Sequence, residues 1–225
     1  MRAHQAQGYS LIELSICLVI IALLAGGLLG TLGQQRELAA MQEAQRQLDS
    51  ARDTLLAFAM TQGRLPCPAR ANLPEGQADA GREDCSLSGH GVLPWATLGL
   101  PQTDPWGMRY TYYAHSLFTA PVTAGTLASF NLASEGNANI REVLGGVSNL
   151  ASALPAVIVS HGPNRLGGYL PSGQQLTPGN GEEAENANAD LSFIAHARSA
   201  DFDDQVSWIN SALLKARLVA AGRLP

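Results

Sequence analysis

No cluster of lysine or arginine occurs anywhere in this chain of 225 residues, whose formal net charge is −5. Binding to nucleic acid through bulk electrostatics needs such a patch, so that class of partner is not expected. Cysteine is scarce: Cys17, Cys67 and Cys85 are the full set, and without a second downstream pair a structural zinc site is not expected. There is no internal repeat and no Gly-x-Ser-x-Gly elbow. Ser160 and His161 are adjacent, so on a strand their side chains point to opposite faces. His90 is a lone histidine between two glycines, and His4 falls within the first eight residues. None of these makes a nucleophile–base pair, and the chain is not expected to be an enzyme.

What is present is unevenly placed. Hydrophobic residues make up 46% of the chain, yet the mean hydropathy is only +0.01. Leu14 to Leu32 is a run of nineteen residues without a charge. As a helix it is about 28 Å long, enough to span a hydrocarbon core of about 30 Å. It directly follows the short, polar, positive segment Met1–Gly8, an order unlike that of an ordinary secretory signal. Ala22, Gly26 and Gly30 have the spacing that lets helices approach closely, although glycine is common in membrane helices anyway. Glu13 stands at the entrance to the run. A carboxylate there costs on the order of 3 kcal/mol. It marks the membrane edge or answers to a partner.

Gly8-Tyr9-Ser10-Leu11-Ile12-Glu13-Leu14 resembles the cleavage and methylation motif of class III signal peptides, shared by type IV pilins and type II secretion pseudopilins. The resemblance implies a cut between Gly8 and Tyr9 by prepilin peptidase and N-methylation of Tyr9. It also implies that Glu13 pairs with the free amine of a neighbouring subunit during assembly. A buried anion and cation that meet remove two desolvation penalties together, so such a pair sets register between helices. The partners implied are the peptidase, other pilins or pseudopilins and an inner-membrane assembly platform. The location implied is the bacterial inner membrane, crossed once, with the C-terminal domain in the periplasm and later in a filament. The fold implied is α+β and pilin-like, a long N-terminal helix packed on a small antiparallel sheet. The alternative is a membrane-anchored receptor or adhesin that keeps residues 1–8 and never polymerises.

Four segments follow: a leader over 1–8, a membrane or filament-core helix over 9–33, its amphipathic continuation over 34–62 and a globular domain over 63–225. The continuation is predicted from Leu38, Met41, Leu48, Ala51, Leu55 and Ala59 at three- and four-residue spacing, with Gly63 as its stop and Pro66 just beyond. Cys67 and Cys85 lie in a Pro/Gly-rich stretch. An exported domain places them in an oxidising space, where a disulfide is the default and two free thiols or half a metal site are the alternatives. Asp104-Pro105-Trp106-Gly107 reads as a turn opening a strand, as in major pseudopilins, with Trp95 and Trp106 as packing anchors. Ala156–Ser160 reads as a buried strand, Gly167–Asp190 as a polar surface loop, Phe202–Ile209 as a last strand and Asn210–Ala221 as a closing helix. Major pseudopilins carry a calcium loop of similar composition near the acidic stretch. That resemblance makes Asn164, Glu183, Glu185 and Asp190 candidate calcium ligands. A solvated acidic loop is the reading favoured there, and no other cofactor is expected.

Overall fold

The computed structural model describes residues 10–224, and for residues 24–32 and 34 it describes the backbone alone. The leader, Gly8 and Tyr9 therefore lie outside the described residues. The chain forms two compact units, Met1–Ala40 and Met41–Pro225.

In the first unit the described residues belong to the start of α1, Leu11–Gln62. Ser10 caps it: its hydroxyl accepts from the Ile12 N–H at 3.4 Å and its carbonyl from the Leu14 N–H at 3.0 Å. Every described side chain from Ser10 to Leu23 is exposed, including nine large apolar ones. Among the described residues no helix is long and apolar enough to cross a membrane.

In the second unit, α1 buries Ala44, Leu48, Ala51, Leu55, Leu56 and Ala59. The predicted stripe holds from Leu48 onward, whereas Leu38 is exposed. Gly63 ends the helix at φ 73°, and its N–H closes on the Ala59 carbonyl at 2.8 Å. A Cβ at that position would lie 2.2 Å from the Leu127 carbonyl oxygen, so no other residue fits.

The strands build two sheets. The first holds β1 (His90–Val92), β2 (Thr111–Ala114), β5 (Ala156–Ser160) and β7 (Gln205–Ile209), in the order β1-β2-β5-β7 and antiparallel throughout. Thr111 faces Val159, and Val157 faces Trp208. The second sheet, which the sequence reading did not anticipate, holds β3 (Ala138–Arg141), β4 (Asn149–Leu154) and β6 (Ser192–Ile194) in the order β4-β3-β6. Its β3–β6 pair is parallel, so a second, mixed sheet stands beside the small antiparallel sheet that the sequence leads one to expect. Pro155 alone separates β4 from β5. With no N–H to donate, it breaks the ladder and lets the chain cross from one sheet to the other.

Burial shows three layers in this unit. One core lies between the four-stranded sheet and the helices: Leu48, Leu55, Tyr112, Ile158, Phe118, Leu214 and Leu218. The other lies between the two sheets: Tyr113, Val157, Val159, Ile140, Leu154 and Phe193. Full burial of one such aliphatic side chain stabilises by about 1.5–3 kcal/mol. The last helix, α5 (Ser211–Ala220), is capped by Asn210, whose side chain accepts from the Ala212 N–H at 2.8 Å. Three short helices complete the chain: α2 (Trp95–Leu98), α3 (Ser116–Thr119) and α4 (Glu182–Glu185).

Cys67 and Cys85 are bonded, their Cα atoms 5.1 Å apart. The Asp104 turn forms as read: its carboxylate accepts from the N–H groups of Trp106 at 3.0 Å and Met108 at 2.9 Å. Trp95 lies under the Arg109 guanidinium, 4.6 Å from ring centroid to carbon. His90, expected in a turn, belongs to strand β1 and pairs with Tyr113.

Candidate functional site

The N-terminal motif and an acidic cluster in the globular unit are the two places where sequence and geometry point to function. At the first, Ser10 and Glu13 stand three apart at the start of α1, the spacing of a capping box. That signal was present in the sequence and passed unused. The Glu13 carboxylate is in the first helical turn and exposed, beside the positive end of the helix dipole. An exposed carboxylate at that end of an apolar helix is free to meet a cation from outside the chain.

At the second, carboxylate oxygens of Glu183, Asp203 and Asp204 lie within 4.8 Å of one another, and all three residues are buried. Glu183 comes from α4. Asp203 and Asp204 stand immediately before β7. Glu183 Oε1 accepts from Asn164 Nδ2 at 2.6 Å and from the Asp203 N–H at 3.2 Å. The Asn164 N–H donates to Asp203 Oδ2 at 3.2 Å. Asn186 Nδ2 donates to Asp204 Oδ2 at 2.8 Å, while Asp204 Oδ1 is buried and makes no hydrogen bond. Gly162, at φ 56°, lets the β5 turn close over the cluster, since a Cβ there would lie 2.2 Å from Asp203 Oδ1. Burial pushes the Asp204 carboxyl well above its ordinary value, and the nearby Glu183 and Asp203 push the same way against the Asn186 hydrogen bond.

The sequence-predicted ligands divide. Asn164 and Glu183 come together in this cluster. Glu185 and Asp190 instead share Asn188, whose amide donates to them at 3.0 Å and 3.1 Å. The stretch read as a surface loop is not all surface, because Glu183 is 3% and Asn186 1% exposed. Asp203 and Asp204 fall inside the strand expected over Phe202–Ile209, and nothing local in the sequence marks them as members of a buried acidic cluster.

A polar chain runs from this cluster into the four-stranded sheet. His161 Nε2 is 2.8 Å from Thr111 Oγ1, and its Nδ1 is 3.8 Å from Asp204 Oδ1. The order Thr–His–Asp is that of a nucleophile, base and acid, but 3.8 Å exceeds hydrogen-bond reach. Burial drives His161 down to about 4, so its imidazole is neutral at pH 7. Ser160, its neighbour, points the other way and donates to Asp104 Oδ2 at 2.7 Å. A second group, Cys67, Glu83 and Cys85, has metal-like spacing, but its sulfurs are spent in the disulfide.

No curated protein and no solved structure matches the chain. Residues 4–29 match a family model described as the prokaryotic N-terminal methylation motif. The match covers the proposed cut at Gly8 and Tyr9, the glutamate at Glu13 and most of the apolar run. Such a motif marks substrates of prepilin peptidase that assemble with other pilins. The N-terminus of this chain thus carries the type IV pilin and pseudopilin signature.

Proposed function

We propose that the chain is a structural subunit of a type IV pilus-like filament, a minor pilin or pseudopilin rather than an enzyme. The observation that carries this reading is the methylation motif at residues 4–29, most of which overlaps helix α1 from Leu11 onward. Prepilin peptidase cuts after Gly8, Tyr9 becomes the methylated terminus, and residues 9–33 hold the subunit in the inner membrane until it enters the filament. The exposed apolar side chains from Leu11 to Leu23 support this, since a helix apolar all round needs lipid or partner helices to cover it. The globular unit then lies in the periplasm in a pilin-like arrangement. A globular part of this size suits a low-copy component.

Calcium is part of the same reading. The donors at the acidic cluster are hard oxygens, and the orphaned Asp204 Oδ1 is what a bound cation would satisfy. Glu183, Asp203 and Asp204, with Asn164 beside them, are the residues that would hold it.

The test is mass spectrometry of the mature N-terminal peptide from native cells with and without prepilin peptidase. A methylated Tyr9 terminus that depends on the peptidase is the expected result. An intact leader in both strains would replace the filament subunit with an unprocessed membrane-anchored receptor.

A further inference from the structure

Ten asparagines occur in the chain, and the fold treats them unequally. Asn164, Asn186 and Asn188 spend their amides on Glu183, Asp204 and Glu185, at 2.6, 2.8 and 3.0 Å. Asn131, Asn137, Asn139, Asn149 and Asn210 also bond through their side chains. Among the described residues, only Asn72 and Asn180 have side chains with no hydrogen bond, and both are exposed.

The backbones of these two differ. Arg109 Nη1 donates to the Ala71 carbonyl at 2.9 Å and to the Leu73 carbonyl at 2.7 Å, which pins the chain on both sides of Asn72. Leu73 also sets a branched side chain beside the peptide nitrogen that follows Asn72. Asn180 has neither restraint. It is followed by Gly181, also exposed, where a Cβ would meet nothing within 4 Å. The N–H groups of Gly179, Asn180 and Gly181 donate to no carbonyl among the described residues.

An unrestrained asparagine followed by glycine closes a five-membered ring on itself, because glycine leaves the peptide nitrogen unhindered and the backbone free to turn. The Gly181 nitrogen gives up its proton and attacks Asn180 Cγ. The new N–Cγ bond forms, the Cγ–Nδ2 bond breaks, and Nδ2 takes up a proton and leaves as ammonia. Water then opens the cyclic imide at either carbonyl. Opening at Cγ gives aspartate. Opening at the main-chain carbonyl gives isoaspartate, whose backbone runs through the former side chain. Water is the sole co-reactant.

We propose that Asn180 is a site of spontaneous deamidation that rewrites the edge of the acidic cluster. Asn180 lines one cleft with Asn164, Glu182, Glu183 and Asp201, so either product sets a new carboxylate beside three others. The isoaspartate form also lengthens the main chain by one carbon just before α4, whose first turn closes through the Glu185 N–H on the Gly181 carbonyl at 3.3 Å. That helix holds Glu183 in the cluster and Glu182 against His196 at 2.8 Å. The inference depends on neither the filament nor the calcium reading.

The test ages the purified full chain in phosphocholine-detergent micelles, in warm, mildly alkaline buffer made with heavy-oxygen water, and maps its peptides by mass spectrometry. The peptide holding Asn180 should convert before that of any other asparagine, take up one heavy oxygen and separate into aspartate and isoaspartate forms. An exposed segment with unbonded N–H groups opens at almost no cost, so the rate should lie within about tenfold of that in the denatured chain. Isoelectric focusing should show a new acidic species in aged wild type and none in Asn180→Gln, whose longer side chain closes a ring far more slowly. Thermal melting checks that the variant is folded. Earlier conversion of Asn72 or any other asparagine would overturn the proposal. So would protection of Asn180 by more than about tenfold in the folded chain, or the same acidic species in aged Asn180→Gln.

Discussion

Glu83 accepts both guanidinium arms of Arg64, each at 2.8 Å, and the backbone N–H of Cys67 at 3.0 Å. The pair ties the end of the long helix to the cysteine loop from both sides of the disulfide. Burial alone would raise the Glu83 carboxyl, but the Arg64 hydrogen bonds, the Cys67 N–H and the Arg64 charge outweigh it and hold it below the ordinary range. Glu83→Gln should therefore destabilise the domain by about 1–2 kcal/mol at pH 7 in denaturant unfolding. A carboxyl lowered in the folded state contributes stability above its unfolded value of about 4.3, and loses it as pH falls through the folded one. Wild type and Glu83→Gln should converge once the pH has fallen through that lowered folded value.

Cys67→Ser should lose about 3 kcal/mol under oxidising conditions, the chain-entropy value for a loop of this length. In the presence of reductant, wild type should fall to the level of the variant. Equal unfolding curves for the two proteins in oxidising buffer would remove the disulfide from the account of stability.

The buried carboxylates predict a response to both acid and calcium. Asp204 is raised in the folded state, so its contribution is present below about pH 3.9 and is lost as pH rises through the higher folded value. Calcium, which binds ionised carboxylates, should raise the melting temperature at pH above that folded value and do less in acid. Asp204→Asn keeps the shape and removes the group that ionises. It should melt higher than wild type in chelator at pH 7 and lose most of the calcium response. A calcium shift unchanged in Asp204→Asn would move the site elsewhere.

At the N-terminus, Glu13→Ala should be cut normally but fail to enter filaments, because the docking charge is missing. Replacing Gly8 with a bulky residue should leave full-length precursor in the membrane. Immunoblots of membrane and sheared-filament fractions read both outcomes, and normal incorporation of Glu13→Ala would end the docking account.

Signals that are local in the chain were legible, and those that depend on distant partners were not. The helix stop at Gly63, the all-buried strand β5 and the closing helix after it each rest on a few adjacent residues, so spacing and residue type suffice. The Cys67–Cys85 bond needed only two cysteines in a Pro/Gly-rich stretch downstream of the motif. The second sheet escaped because its strands are short and because β3 finds its parallel partner β6 some fifty residues later in the sequence. The acidic cluster escaped for a similar reason. Glu183 looked like one of a run of solvated acids until folding placed Asp203 and Asp204 against it. Asn164 was legible as a ligand candidate, whereas Glu185 and Asp190 were drawn in by composition alone.

Strand β5 is two-faced. Ala156 and Ile158 belong to the helix-side core, and Val157 and Val159 to the core between the sheets. A party wall between two houses cannot lose one house without weathering on that side. A shortened relative that dispensed with the second sheet would bare Tyr113, Val157 and Val159 to water, and the strand would need polar residues at every other position to remain soluble. The alternation written into this single strand is thus a record of the domain's size: any homologue with an apolar residue at each of these places must also carry a second layer to cover them.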